Sequence, residues 1–187
     1  MRYPVLALVL LAGCAAPGPA SGPAPSSADV QHSTRIAAGT GEIEMITGGG
    51  ERQGVRREVI GASVEQIWDA LPAAFEGLGI ESGVVDAAGH VYGNPAARAT
   101  RRIAGHDASF YLDCGLDPLG TRRADKDVLQ VTALAYPVPA GQTTSTLVVQ
   151  VRGLASQPST GTRSDCISTG RLEQRIVEAV KAALPAA

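Results

Sequence analysis

Three cysteines, three histidines and three arginine pairs are the side chains of this 187-residue chain whose types could do chemistry. A thiolate can attack carbon, bond to a second sulfur or hold a metal. Cys114 and Cys166 stand far from any second ligand at metal-site spacing, and His32, His90 and His106 have no partner ligand one helical turn or two strand positions away. Each histidine therefore reads as a turn or surface residue. His106, Asp107 and Ser109 are a possible triad in type, but neighbours in one extended segment point to different faces, and no G-x-S-x-G elbow is present. Gly48-Gly49-Gly50 lacks the following Lys-Ser or Lys-Thr of a phosphate loop. Arg56-Arg57, Arg101-Arg102 and Arg122-Arg123 could face an anion, and solvated strand and loop charge is the preferred reading. Trp68 falls in an apolar stripe, so core packing is preferred to a ligand groove. The expectation is no catalytic residue, no cofactor, no metal and no enzyme.

The third thiol has a different setting. Met1-Arg2-Tyr3-Pro4 carries one positive charge, Val5 to Leu11 is apolar, and Ala12-Gly13 is small. This is the layout of a secretory signal. Pro17 and Pro19 interrupt it short of the roughly 20 apolar residues of a bilayer-spanning helix. Leu11-Ala12-Gly13-Cys14 resembles the bacterial lipobox. The resemblance implies cleavage before Cys14, a diacyl thioether on its sulfur and acylation, for example by palmitate, of the new amino terminus. Several acyl chains, at about 0.8 kcal/mol per buried methylene, make such an anchor stable. Ala15 in place of an aspartate resembles lipoproteins sent to the outer membrane. With Cys14 assigned to lipid in an oxidising compartment, Cys114 and Cys166 are expected to pair as a disulfide. Closing that loop stabilises a fold by about 4 kcal/mol in the chain-entropy model.

The elements that must position these groups fall into four stretches: residues 1–13, the signal; 14–28, the lipidated cysteine and a Pro/Gly/Ala/Ser tether; 29–53, a lead-in of which only 41–47 is strand-like; and 54–187, one domain. At about 3.1 Å per residue, the tether extended as polyproline reaches roughly 40 Å. A formal charge of −2 argues against nucleic acid as a partner.

Within the domain, residues 54–60 read as a strand. Ser63 and Gln66 stand at capping-box spacing before Val64, Ile67, Trp68, Leu71, Phe75 and Leu78, a helical stripe that Pro72 should kink or shorten. Period-two segments follow at 80–86, 90–92, 96–103, 108–114, 128–136 and 145–153, an antiparallel meander. In 108–114, Ala108, Phe110, Leu112 and Cys114 should share a face opposite Ser109, Tyr111 and Asp113. Residues 117–127 read as an exposed, mobile excursion. Leu172, Ile176, Val180 and Leu184 mark a second helix, with Arg171, Glu173, Gln174, Arg175, Glu178 and Lys181 outside it. The fold class is α+β: an antiparallel curved sheet with two helices on one face, in strand-helix-strands-helix order.

Val59-Ile60-Gly61-Ala62-Ser63, Ile67-Trp68-Asp69-Ala70-Leu71, Leu78-Gly79-Ile80 and the hairpin from Val84 to Tyr92 resemble the helix-grip-like domains of the lipoprotein C subunit of the outer-membrane β-barrel assembly machinery. That resemblance implies the fold and an envelope-lipoprotein setting. The expected function is a membrane-tethered, non-enzymatic module that docks an envelope protein on the open face or edge of its sheet. The alternative is a carrier of an apolar molecule or lipid between sheet and helix.

Overall fold

The computed structural model describes residues 33–38, 41–46 and 54–185; Cys14, the signal and the tether lie outside them. In chain order the elements are β1 (Ser33–Ala38), β2 (Gly41–Ile46), β3 (Val55–Ile60), α1 (Val64–Gly77), β4 (Gly83–Asp86), β5 (Val91–Thr100), β6 (Arg102–Ile103), β7 (His106–Asp107), α2 (Ala108–Tyr111), β8 (Leu112–Asp113), β9 (Val128–Pro139), β10 (Ser145–Ser156), β11 (Arg163–Ser168) and α3 (Arg171–Ala183), with a 3-10 turn at Arg123–Asp125 before β9. β1 and β2 form a hairpin of their own, and β6 and β7 a two-residue ladder. The remaining strands make one seven-stranded antiparallel sheet in the order β4-β5-β9-β10-β11-β8, with β3 also on β10. The class is α+β, and α1 and α3 pack on one face of this sheet.

β9 and β10 pair along their whole length, from Ser145 opposite Pro139 to Ser156 opposite Val128. Their alternation sends Leu129, Val131, Ala133 and Ala135 of β9, and Leu147, Val149 and Val151 of β10, into the helix-side core. The other edge of β10 is shared: β3 covers Ser145 to Gln150, and β11 covers Gly153 to Ser156. Gly54 sits at the handover. Its carbonyl accepts from Val151 N at 2.8 Å, and a Cβ there would stand 2.5 Å from Val151 O, so only glycine lets the chain pass this close.

The Ser63–Gln66 capping box is formed, and α1 continues through Pro72 to Gly77, so the proline does not shorten it. Pro72 lies on the exposed face, where the carbonyl it leaves unbonded can turn to water. Ile67, Leu71 and Phe75 are fully buried, while Trp68 stands half-buried, edge-on to His90 at 5.3 Å and to Tyr92 at 6.1 Å. Among the described residues no helix is long and apolar enough to cross a membrane.

Four expectations are corrected. Residues 91–100 are one strand, because Asn94-Pro95 is absorbed as a bulge in which Thr132 donates to Pro95 O at 2.8 Å and Asn94 Oδ1 accepts from Ala96 N at 2.9 Å. Residues 108–114 are not one strand: Ala108–Tyr111 is a helical turn, which buries Tyr111 and leaves Phe110 partly exposed, and only Leu112–Asp113 is extended, as β8. β11 forms where no element was expected, its sequence Arg-Ser-Asp-Cys-Ile-Ser being too polar to announce a strand. The face of the sheet away from the helices is not open throughout, since Val91, Leu134, Tyr136 and Val148 form a second buried cluster there.

α3 carries the fifth correction. Glu173, assigned to the outer face, is 1% exposed, and neither carboxylate oxygen has a hydrogen-bond partner of ordinary geometry. Burial pushes its pKa above 4.5, against weaker opposing effects from the Ser168 hydroxyl and the Arg56 charge. Toward the C-terminus of α3, Lys181 reaches Glu58 of β3 at 2.6 Å, and Glu58 in turn meets Arg56 at 3.5 Å.

Gly93 has φ +139° and a Cβ there would lie 2.1 Å from Ala133 O; Gly93→Ala should destabilise the domain by about 2 kcal/mol or more in urea titration. For Glu173, the folded chain binds the proton more tightly than the unfolded chain, so its contribution to stability is present below pH 4.5 and is lost as pH rises through the raised value. Glu173→Gln should therefore melt higher than the native chain at pH 7 and equal to it below pH 4.5. A gap that did not change with pH would contradict this assignment.

Candidate binding cleft

The segment after α2 returns over the end of the sheet as a loop laced by its own acids. Asp117 Oδ1 accepts from Leu119 N and Thr121 N, both at 2.9 Å, and its other oxygen takes Lys126 Nζ at 2.5 Å. These interactions, the lysine first, hold the Asp117 carboxyl below its usual value of 3.8. Asp125 accepts from Ser109 N at 2.8 Å, capping α2, and Arg123 is clamped between Asp127 at 3.0 Å and Ser164 Oγ at 2.7 Å. The loop expected to be a free excursion is thus exposed but tied down.

Beneath it lies the bond between Cys114 and Cys166, whose Cα atoms are 4.1 Å apart. The expected disulfide is formed, joining the end of β8 to β11. Gly153, opposite Cys166 in β10, makes room for it: a Cβ there would meet Leu112 Cδ1 at 2.7 Å and Cys166 Cβ at 3.0 Å.

Between this loop and the start of α3 opens a cleft of about 600 Å³, lined by Ser109, Leu112, Asp113, Cys114, Leu116, Arg122, Thr169 and Arg171 among others. That volume lies in the range of small-ligand sites, roughly 300–1,000 Å³. Large apolar side chains stay in water here: Leu116, in the lining, is 64% exposed, and Leu119, three residues on in the same loop, 85%. Phe110 stacks on His106 at 4.9 Å and carries the Arg171 guanidinium 4.3 Å from its ring centre. Ile167, 49% exposed, stands opposite Asp113 in the ladder. One turn along α3, Arg175 donates to Ala104 O at 3.0 Å and to the Tyr111 hydroxyl.

The arginine pairs divide. Arg123 is internal while Arg122 faces the cleft; Arg102 donates to Gly105 O across the β6–β7 turn; Arg56 lies along the β3–α3 seam. Arg171, expected as outer-face charge, is a cleft residue. The signal that could have found this site is Gly115-Leu116-Asp117-Pro118-Leu119-Gly120, where two leucines sit in a turn with no core to enter. His106, Asp107 and Ser109 do not converge as a triad, since His106 is turned to Phe110 and Ser109 to the cleft. Among the described residues no three His, Cys, Asp or Glu side chains gather as a metal site requires.

Because the sulfur bridge closes 52 residues, Cys166→Ser should lower unfolding free energy by about 4 kcal/mol. It should also speed amide exchange first at Cys114–Arg122, as hydrogen-exchange mass spectrometry would read. Uniform acceleration across the sheet would contradict that local role. No protein-family model matches the chain and no curated protein matches it, so the arrangement of its own residues is what a functional reading rests on.

Proposed function

We propose that the chain is an envelope lipoprotein, anchored by acyl chains on Cys14 and facing the periplasm from the outer membrane, whose α+β domain is a non-enzymatic docking module for an envelope protein. The observation that carries the reading is the exposed apolar set Phe110, Leu116, Leu119 and Ile167, gathered at one end of the sheet on backbone held by a disulfide and three aspartates. Large side chains kept in water on a rigid support are the pattern of an interaction surface. Of the open face or edge expected from sequence, the docking surface is the edge where β8 and β11 pair, the open face being partly covered.

The carrier reading has less support. The helix–sheet interface is filled by Ile67, Leu71, Phe75, Leu147 and Ile176, each fully buried. The space at its border, lined by Ile80, Ala97, Ile103, Ala133 and Leu172, is about 260 Å³, under the roughly 300 Å³ at which small-ligand sites begin.

A photoreactive residue at position 119, placed in the intact envelope, should cross-link one protein, and Cys14→Ala should release the chain from the membrane and abolish the product. Intact mass of the native protein should show the acyl chains. Absence of cross-links from positions 116, 119 and 167 alike, or an unmodified thiol at residue 14, would overturn the reading.

A further inference from the structure

Resting on the docking reading, we infer that the cleft recognises an acidic–apolar peptide segment of its partner, a carboxylate taken by Arg122 and Arg171 while apolar neighbours pack on Leu116 and Leu119. The cleft lining carries two guanidiniums against one carboxylate. Asp113 is the acid in its lining, and its Oδ1 already accepts from Gly115 N at 2.9 Å. The acids of the surrounding loop are likewise engaged, Asp117 with Lys126, Asp125 with Ser109 N and Asp127 with Arg123. Against this, Arg122 makes no ion pair among the described residues. Arg171 makes none either: its guanidinium lies 4.3 Å over Phe110, with one nitrogen 3.4 Å from Phe110 O.

Stacking on an aromatic face fixes the plane of a guanidinium and leaves donors at its edge, so less rotamer freedom is lost when a carboxylate arrives. Ser109 adds a hydroxyl to the wall, while the Thr169 hydroxyl already donates to Phe110 O and Tyr111 O, and α3 begins there on Gly170 without a side-chain cap, so its dipole favours the same sign of ligand. An anionic membrane surface fits less well. The site is concave, and two cations fall short of the cluster of about four to eight that draws a protein to such a surface.

The test is NMR titration of the disulfide-intact chain, reading the Nε–H signals of Arg122 and Arg171. The probes are the peptide acetyl-Leu-Glu-Phe-amide, its Gln counterpart, and vesicles of phosphatidylethanolamine with phosphatidylglycerol. Both arginine signals should move on adding the Glu peptide, with affinity about tenfold weaker for the Gln peptide and, read from the backbone amide signals of Leu116 and Thr169, for an Arg122→Gln/Arg171→Gln chain. Equal response to Glu and Gln peptides, no response to either, or arginine shifts on vesicles alone would each overturn the inference. The docking reading is judged separately, because cross-linking from position 119 that persists in the double-arginine variant leaves docking standing and removes only the role of charge.

Discussion

A twelve-residue central strand must satisfy its backbone donors and acceptors on both edges, and in this molecule two short strands divide one of those edges. β3 leaves β10 at Gln150 and β11 joins it at Gly153. The interval is closed by the hydrogen bond from Val151 N to Gly54 O. That division fixes much of the remaining architecture. It brings the first strand of the domain and the last onto one edge of β10, sets α3 over β3 and β10, and directs β11 outward to meet β8. Without the handover at Gly54 there would be no position for Cys166 opposite Gly153, and the loop of residues 114–122 would have no floor.

The helices were legible because their signals are local. Ser63 and Gln66 announce a start, and Leu172, Ile176 and Val180 recur at a helical period that survives in the structure. The disulfide was legible from counting, once the lipobox resemblance had set Cys14 apart. The end of the sheet was not. Phe110 and Tyr111 are adjacent aromatics, and alternation alone cannot tell a strand from a single helical turn; the turn wins because Asp125, sixteen residues on, caps it. β11 escaped for a related reason: Ser164 and Cys166 look polar or neutral in sequence and become inward-facing only because β10 stands beside them. Glu173 resembled a surface acid for the same cause, since nothing nearby in the chain reveals that β3 will lie across it.

The cleft is therefore a tertiary object. Its arginines belong to segments nearly fifty residues apart, and each looked like solvated charge. What distinguishes Arg122 and Arg171 from Arg123 and Arg175 is the identity of their neighbours after folding. The second pair is absorbed by Asp127, Ser164, Ala104 and Tyr111, and the first is left with a ring or with water. Alternation of satisfied and unsatisfied cations along two short stretches leaves two guanidiniums beside one carboxylate in the cleft lining. It also explains why apolar residues are tolerated there: the backbone carrying Leu116 and Leu119 is held by Asp117 and not by those side chains.

Trp68 is the only tryptophan in the chain, and it lies at the α1–β5 contact between the rings of His90 and Tyr92, among residues that take no part in lining the cleft. Its indole is thus a built-in optical gauge of how firmly the first helix sits on the sheet. Emission from this one indole should therefore follow the packing of α1 on β5 while staying dark to events among the arginines at the sheet's end. Spectroscopically the molecule separates into a half that reports on itself and a half that needs a label.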